Sequence, residues 1–146
     1  AYEISACLVA SEMCIRDRFK CGEGNTYEKT KGIVQMITKE DMKAFQGYSE
    51  WVERKIITDP QDRLNENVLG LCEEAGEVAG KIKKRIRDKT KVTPEAILGE
   101  LGDVLFYTTA LANYYNFNLA SVITQNMFKL DGRESRGTLK GSGDER

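Results

Sequence analysis

Two short acidic clusters carry the chemistry this sequence could perform, Glu73-Glu74-Ala75-Gly76-Glu77 and Glu100-Leu101-Gly102-Asp103. Residues three apart on a helix project within roughly 60° of one another, so Glu74 with Glu77, and Glu100 with Asp103, each make a two-carboxylate claw. At ~5 Å and an effective dielectric of ~20 each pair repels by roughly 3 kcal/mol, a cost that a bound cation removes. Oxygen-only ligands favour a hard divalent ion, and Mg2+ is the usual choice where water and substrate phosphates complete its shell, with Mn2+ as the substitute. The flanking Ala75, Gly76, Ala79, Gly80, Gly99 and Gly102 include glycines that each cost up to about 1 kcal/mol of helix propensity, which close backbone approach beside a crowded site would explain. Acids at helical spacing are more often a solvated face; two clusters with matching geometry and matching glycines favour a site.

The rest of the composition narrows the chemistry. The chain has no histidine, which excludes Ser-His and Cys-His catalysis, histidine-containing zinc sites and the Glu-x-x-His pairs of di-iron bundles. A formal net charge of −1 advertises no nucleic-acid polymer as partner. Cys7, Cys14, Cys21 and Cys72 contain no C-x-x-C pair, and no apolar run is long enough to span a membrane. The expectation is a reduced, cytoplasmic protein without a signal peptide, in which Cys72 is a small buried hydrophobe.

The elements that would position the acids are helices. Thr38 caps a first helix with Asp41 three residues on, and Phe45, Tyr48, Trp51 and Val52 recur at helical spacing before Asp59 and Pro60. From Leu64 to Ile86 the residues Val68, Leu71, Cys72, Ala75, Val78, Ala79, Ile82 and Ile86 form one apolar stripe. Its last turns carry Lys81, Lys83, Lys84, Arg85 and Arg87, a favourable charge at a helix C-terminus. Thr93 and Pro94 open a third helix with Ile97, Leu101, Val104, Leu105, Thr108, Leu111, Ala112 and Tyr115 inward, and Asn118 caps a fourth with Leu119, Val122, Ile123, Met127 and Leu130 inward. Four amphipathic helices without a strand pattern make an all-α, four-helix bundle. Residues 36–130 are expected to hold it, and residues 131–146 to form a flexible, charged, glycine-rich tail. Residues 1–35 read as a disordered or artefactual extension. Their opening string resembles translated sequencing-adapter text, which would place the natural start at Met36 or Met42.

E-E-x-x-E over Glu73–Glu77, followed after residues 78–99 by E-x-x-D over Glu100–Asp103, resembles the signature of the all-α nucleoside triphosphate pyrophosphohydrolases, particularly the MazG-like proteins of phages and bacteria. The likeness extends across Met42 to Arg146 through Gly70-Leu71, Glu77-Val78-Ala79-Gly80-Lys81 and Gly99-Glu100-Leu101-Gly102-Asp103-Val104-Leu105. It implies hydrolysis of (d)NTPs between the α- and β-phosphates to a monophosphate and pyrophosphate, for nucleotide-pool cleaning or phage nucleotide metabolism. It further implies that Glu74, Glu77, Glu100 and Asp103 hold magnesium, that one of the glutamates among Glu73, Glu74 and Glu77 assists as base, and that Glu73 is the accessory acid. On the fourth helix Asn126 falls where the stripe predicts a hydrophobe, with Lys129 and Arg133 on the same face. By the resemblance these three contact phosphates. The Tyr48-Ser49-Glu50-Trp51 string departs from the family's usual Tyr-Gln opening at Ser49, which blurs base recognition; Tyr48 and Trp51 are candidates for stacking on the base, although aromatics at that spacing are more often core. A homodimer or homotetramer is implied as well.

Three other readings stay open on sequence alone. One is a non-catalytic helical module that binds metal or nucleotide as a regulator. Another is a plain helical interaction protein with solvated acids. The third, within the same superfamily, is a phosphoribosyl-ATP pyrophosphohydrolase.

Overall fold

The computed structural model describes residues 37–141. The expectation for residues 1–35 lies outside the described residues, as does the end of the tail beyond 141. Helices α1 (Lys39–Glu53), α2 (Arg63–Arg87), α3 (Pro94–Tyr114) and α4 (Leu119–Ser135) follow in order, with no strand among the described residues. The protein is all-α, as its periodicities predict. No helix among the described residues is long and apolar enough to cross a membrane.

Local chemistry sets the helix ends. Thr38 and Asp41 form a reciprocal capping box, the Asp41 N–H donating to Thr38 Oγ1 at 3.1 Å and the Thr38 N–H to Asp41 Oδ2 at 2.9 Å. Thr93 Oγ1 accepts from the Ala96 N–H, with Pro94 at the first helical position of α3. Asn118 Oδ1 accepts from the Ser121 N–H at 2.9 Å and so caps α4. Helix α4 passes Gly132 and the expected end at Leu130, because the stop signal comes later. Gly137 adopts φ 68°, its N–H donates to the Glu134 carbonyl, and the Thr138 N–H donates to the Arg133 carbonyl. That pair of bonds is a Schellman cap, and a left-handed residue at its centre favours glycine.

The described residues fall into two units, Lys43–Val122 and, by itself, the segment from Ile123 together with the start of α1. In the first unit, α2 and α3 are the main packed pair. Val52, Ala110, Ala112, Leu119 and Ala120 are its buried apolar residues, and Ser49, Asn67 and Thr109 are buried polar ones. Ser49 is central. Its Oγ–H donates to the Phe45 carbonyl, the same oxygen accepts from the Leu119 N–H at 2.9 Å, and its carbonyl accepts from Asn113 Nδ2 at 2.8 Å. One hydroxyl thereby satisfies an orphan donor at the start of α4 and joins α1 to it. Arg63 adds a bidentate pair to Glu53, at 2.7 and 2.6 Å, which fastens the start of α2 to the end of α1.

The apolar stripe expected on α2 is only partly the buried one. Leu71, Val78 and Ile82 are half-buried, whereas Val68, Cys72, Ala75, Ala79 and Ile86 are exposed. The buried side runs instead through Asn67, Gly70, Leu71 and Glu74. The cause is a close approach at Gly70: a Cβ there would collide with the Tyr107 ring of α3. Cys72 is correspondingly an exposed thiol and not a core residue. Gly76, Gly80, Gly99 and Gly102 have nothing within 4 Å of a built Cβ, so close approach within the chain does not account for them.

Candidate active site

The claws on α2 and α3 meet through three of their four acids. Glu74 from α2 and Glu100 and Asp103 from α3 each offer a carboxylate oxygen, and these oxygens lie within 4.8 Å of one another. Glu74 and Glu100 are half-buried and Asp103 is exposed. The convergence follows from packing: Gly70 meets Tyr107, and Glu74, one turn on, meets Asp103 one turn earlier on α3. Glu77 is exposed and stands outside this group, where its charge acts on Lys81. Glu73 is exposed beside Glu74.

The electrostatics are those of crowded acids. The Glu74 carboxyl is held above the ordinary glutamate range, by partial desolvation first, then by the charges of Asp103, Glu100 and Glu73, and by a hydrogen bond shared with Glu100. Lys81 on α2 supplies a cation to the group, its Nζ lying 2.8 Å from Glu100 Oε1. That hydrogen bond to Glu100 is the main reason the Lys81 ammonium is pushed above its ordinary range. The sequence reading places Lys81 among the cations ending α2 and at the end of the Glu77–Lys81 string of the resemblance, and assigns it no role in the site. Its spacing of seven from Glu74 and four from Glu77 was the available signal, since both offsets keep it on the acids' side of the helix.

Aromatic rings flank the acids in the same unit. Tyr48 and Trp51 of α1 stack with centroids 5.7 Å apart, Trp51 meets Phe106 edge-on at 6.3 Å, and Phe106 meets Tyr107 edge-on at 5.3 Å. Burial first, then Asp103, raises the Tyr48 pKa. Burial first, then Glu66, Glu74, Glu73 and Asp103, raises that of Tyr107. Both tyrosines therefore sit within the field of the carboxylates. Trp51 is exposed and also receives the Lys55 ammonium at 5.7 Å from its centroid.

The α4 candidates belong to the other unit and are described by themselves. Asn126 and Lys129 are exposed and Arg133 is buried. The inward face of α4 runs through Thr124, Met127, Phe128 and Gly132, so neither Asn126 nor Leu130 takes the core-facing place its periodicity predicts.

The arrangement can bind a hard divalent cation. Oxygens bonded to one magnesium ion at about 2.0–2.1 Å stand roughly 3–4 Å apart, a spacing small side-chain adjustments reach from the observed group. Comparison with known proteins agrees with this chemistry. A family model described as the MazG nucleotide pyrophosphohydrolase domain matches residues 63–137. The chain is 41% identical over 92 residues to Gene 37 protein of Mycobacterium phage L5, an alignment covering 60% of this chain and 81% of that protein. No solved structure matches the chain.

Proposed function

The chain belongs to the MazG nucleotide pyrophosphohydrolase family, and from that premise we propose that it hydrolyses (d)NTPs between the α- and β-phosphates in a magnesium-dependent reaction. The products are a nucleoside monophosphate and pyrophosphate, a reaction suited to nucleotide-pool cleaning or phage nucleotide metabolism in the cytoplasm. The observation that carries the reading is the meeting of Glu74, Glu100 and Asp103 across two helices. Acids this crowded are unfavourable until a cation is present, and an all-oxygen donor set selects a hard one.

Glu74, Glu100 and Asp103 would hold the metal in this reading, with Glu77, one turn from Glu74, as the fourth ligand. A divalent ion held there would supply charge neutralisation for the phosphates and activation of water. One of Glu73, Glu74 and Glu77 would take up the proton of the attacking water. Asn126, Lys129 and Arg133 grip phosphate oxygens, an assignment supported by the family likeness and by their donor chemistry. Tyr48 and Trp51 form the base side, supported by the exposure of Trp51 and by the nearness of Tyr48 to Asp103.

A homodimer or homotetramer is part of the proposal. Its support is the apolar surface that α2 and α3 leave uncovered, with Leu69 68% and Leu98 69% exposed and Val68, Leu101 and Leu105 exposed as well. The open space over Gly76 and Gly102 would admit a second helix closely.

The test is pyrophosphate release from a panel of NTPs and dNTPs with and without magnesium, for the natural chain, Glu74→Ala and Asp103→Ala. Magnesium-dependent release that both substitutions abolish supports the reading. A folded, magnesium-stabilised protein that releases no pyrophosphate would return the chain to the class of non-catalytic binding modules.

A further inference from the structure

The ion pair between Lys81 and Glu100 places an ammonium at the rim of the carboxylate group, with 2.8 Å between Nζ and Oε1 and side-chain exposures of 28% and 18%. A partly exposed pair of this kind adds little to stability, so bracing α2 against α3 is a small return for a cation set among acids. The same lysine lines a shallow groove along α2, together with Glu77, Gly80 and Lys84. Nothing stands within 4 Å of a Cβ built at Gly80, so the way along that groove is open.

A divalent ion bound by Glu74, Glu100 and Asp103 would take over the charge that Lys81 now balances, and would repel the ammonium. The four-carbon stem lets Nζ swing away from Glu100 and along the groove. A chain of phosphates gathered on the metal would present anionic oxygens to it there. Resting on the triphosphate reading above, we propose that Lys81 is a phosphate-binding residue held in reserve, neutralising Glu100 in the metal-free protein and turning to the polyphosphate once a divalent ion takes its place. Its ligand class is the β- or γ-phosphate of a nucleoside triphosphate. In the metal-free protein Lys81 and the metal are competitors, and in the loaded protein Lys81 and the metal share one substrate.

Those two relations have opposite signs, and a simple brace has neither. Lys81→Met keeps the apolar stem and removes the charge, whereas Lys81→Arg keeps the charge. Mn2+ binding to the nucleotide-free protein, followed by electron paramagnetic resonance, should be tighter in Lys81→Met by about threefold to tenfold, because the competing cation is gone. Affinity for a non-hydrolysable α,β-methylene triphosphate in the presence of Mn2+ should fall by about tenfold to a hundredfold, the worth of one charged hydrogen bond. KM for pyrophosphate release should rise in step, and Lys81→Arg should restore most of it. Thermal melts of each variant confirm that folded proteins are compared. Weaker Mn2+ binding in Lys81→Met, or analogue affinity within twofold of the natural chain's, would overturn the proposal and leave Lys81 a brace. A natural chain that binds the analogue through Lys81 yet releases no pyrophosphate would overturn hydrolysis and uphold this assignment. Failure of the natural chain to bind the analogue with metal would overturn both.

Discussion

Substituting Glu74 by glutamine should stabilise the metal-free protein while removing its response to magnesium. With oxygens of Glu74, Glu100 and Asp103 within 4.8 Å of one another, each ionised pair repels by roughly 0.9 kcal/mol in a water-like dielectric, and physiological salt lowers that to about half. Glu74 takes part in two of the three pairs, so its neutral isostere relieves about 1 kcal/mol, while the amide can still hydrogen-bond to Glu100. For a chain of this size that is a rise in Tm of about 3–5 °C in a chelator. Saturating magnesium at about 100 times Kd should add about 2.7 kcal/mol to the natural chain and far less to Glu74→Gln, reversing their order.

The pH dependence of the same experiment has a definite sign. Folding raises the Glu74 pKa, through desolvation first and then through the charges of Asp103, Glu100 and Glu73, so the folded metal-free protein holds that proton more tightly than the unfolded chain. The stability this contributes is fully present below the ordinary glutamate value and is lost as pH rises through the raised folded one. Glu74→Gln lacks that loss, so the Tm gap between the two chains in chelator should widen from acid toward neutral pH. Differential scanning calorimetry across that range, in chelator and in magnesium, measures all of this. A Glu74→Gln protein that melts lower in chelator, or that keeps the full magnesium shift, would show that these acids neither crowd one another nor hold the ion.

Gly70→Ala should cost about 1–3 kcal/mol in urea denaturation, because the new methyl meets the Tyr107 ring carbons and not a yielding chain end; a neutral substitution would mean the helices are not this close. Ser49→Ala removes the acceptor of the Leu119 N–H and should cost about 1–2 kcal/mol. Stability unchanged by that substitution would indicate that water replaces the hydroxyl. Gly76→Ala and Gly102→Ala have open space in the single chain, so helix propensity should make each up to about 1 kcal/mol more stable as a monomer. If the two faces pack against a second copy, the same methyls should weaken self-association in light scattering. Unchanged association would remove the glycines from any such interface.

Much of this architecture was legible from local signals. The Thr38–Asp41 box, Thr93 with Pro94, and Asn118 each combine a side-chain acceptor with a donor in the next turn, and short-range chemistry of that kind is written in consecutive residues. Helix α4 runs past Leu130 to Ser135 because the glycine that ends it is Gly137, whose φ of 68° makes the left-handed cap, while Gly132 lies inside the helix. The faces of α2 and α4 were less legible still. Hydropathy favours Val68, Cys72 and Ala75 on α2, yet Asn67 and Gly70 are the buried pair, since the shape of Tyr107 decides the rotation and periodicity carries no information about a partner's shape.

That rotation bears directly on the site. Gly70 against Tyr107, Glu74 against Asp103 and Lys81 against Glu100 advance along α2 while they retreat along α3, which makes the two helices antiparallel. Both acids of the α3 claw converge with Glu74, whereas the α2 claw contributes Glu74 alone. With Gly70 held under the Tyr107 ring, Glu74 is the α2 acid turned to the Glu100–Asp103 pair, and Glu77 is turned aside toward Lys81. The spacing of the acids names four candidates, but the contact at Gly70 selects which three converge first. A position without a side chain thus sets the composition of the carboxylate group one turn away.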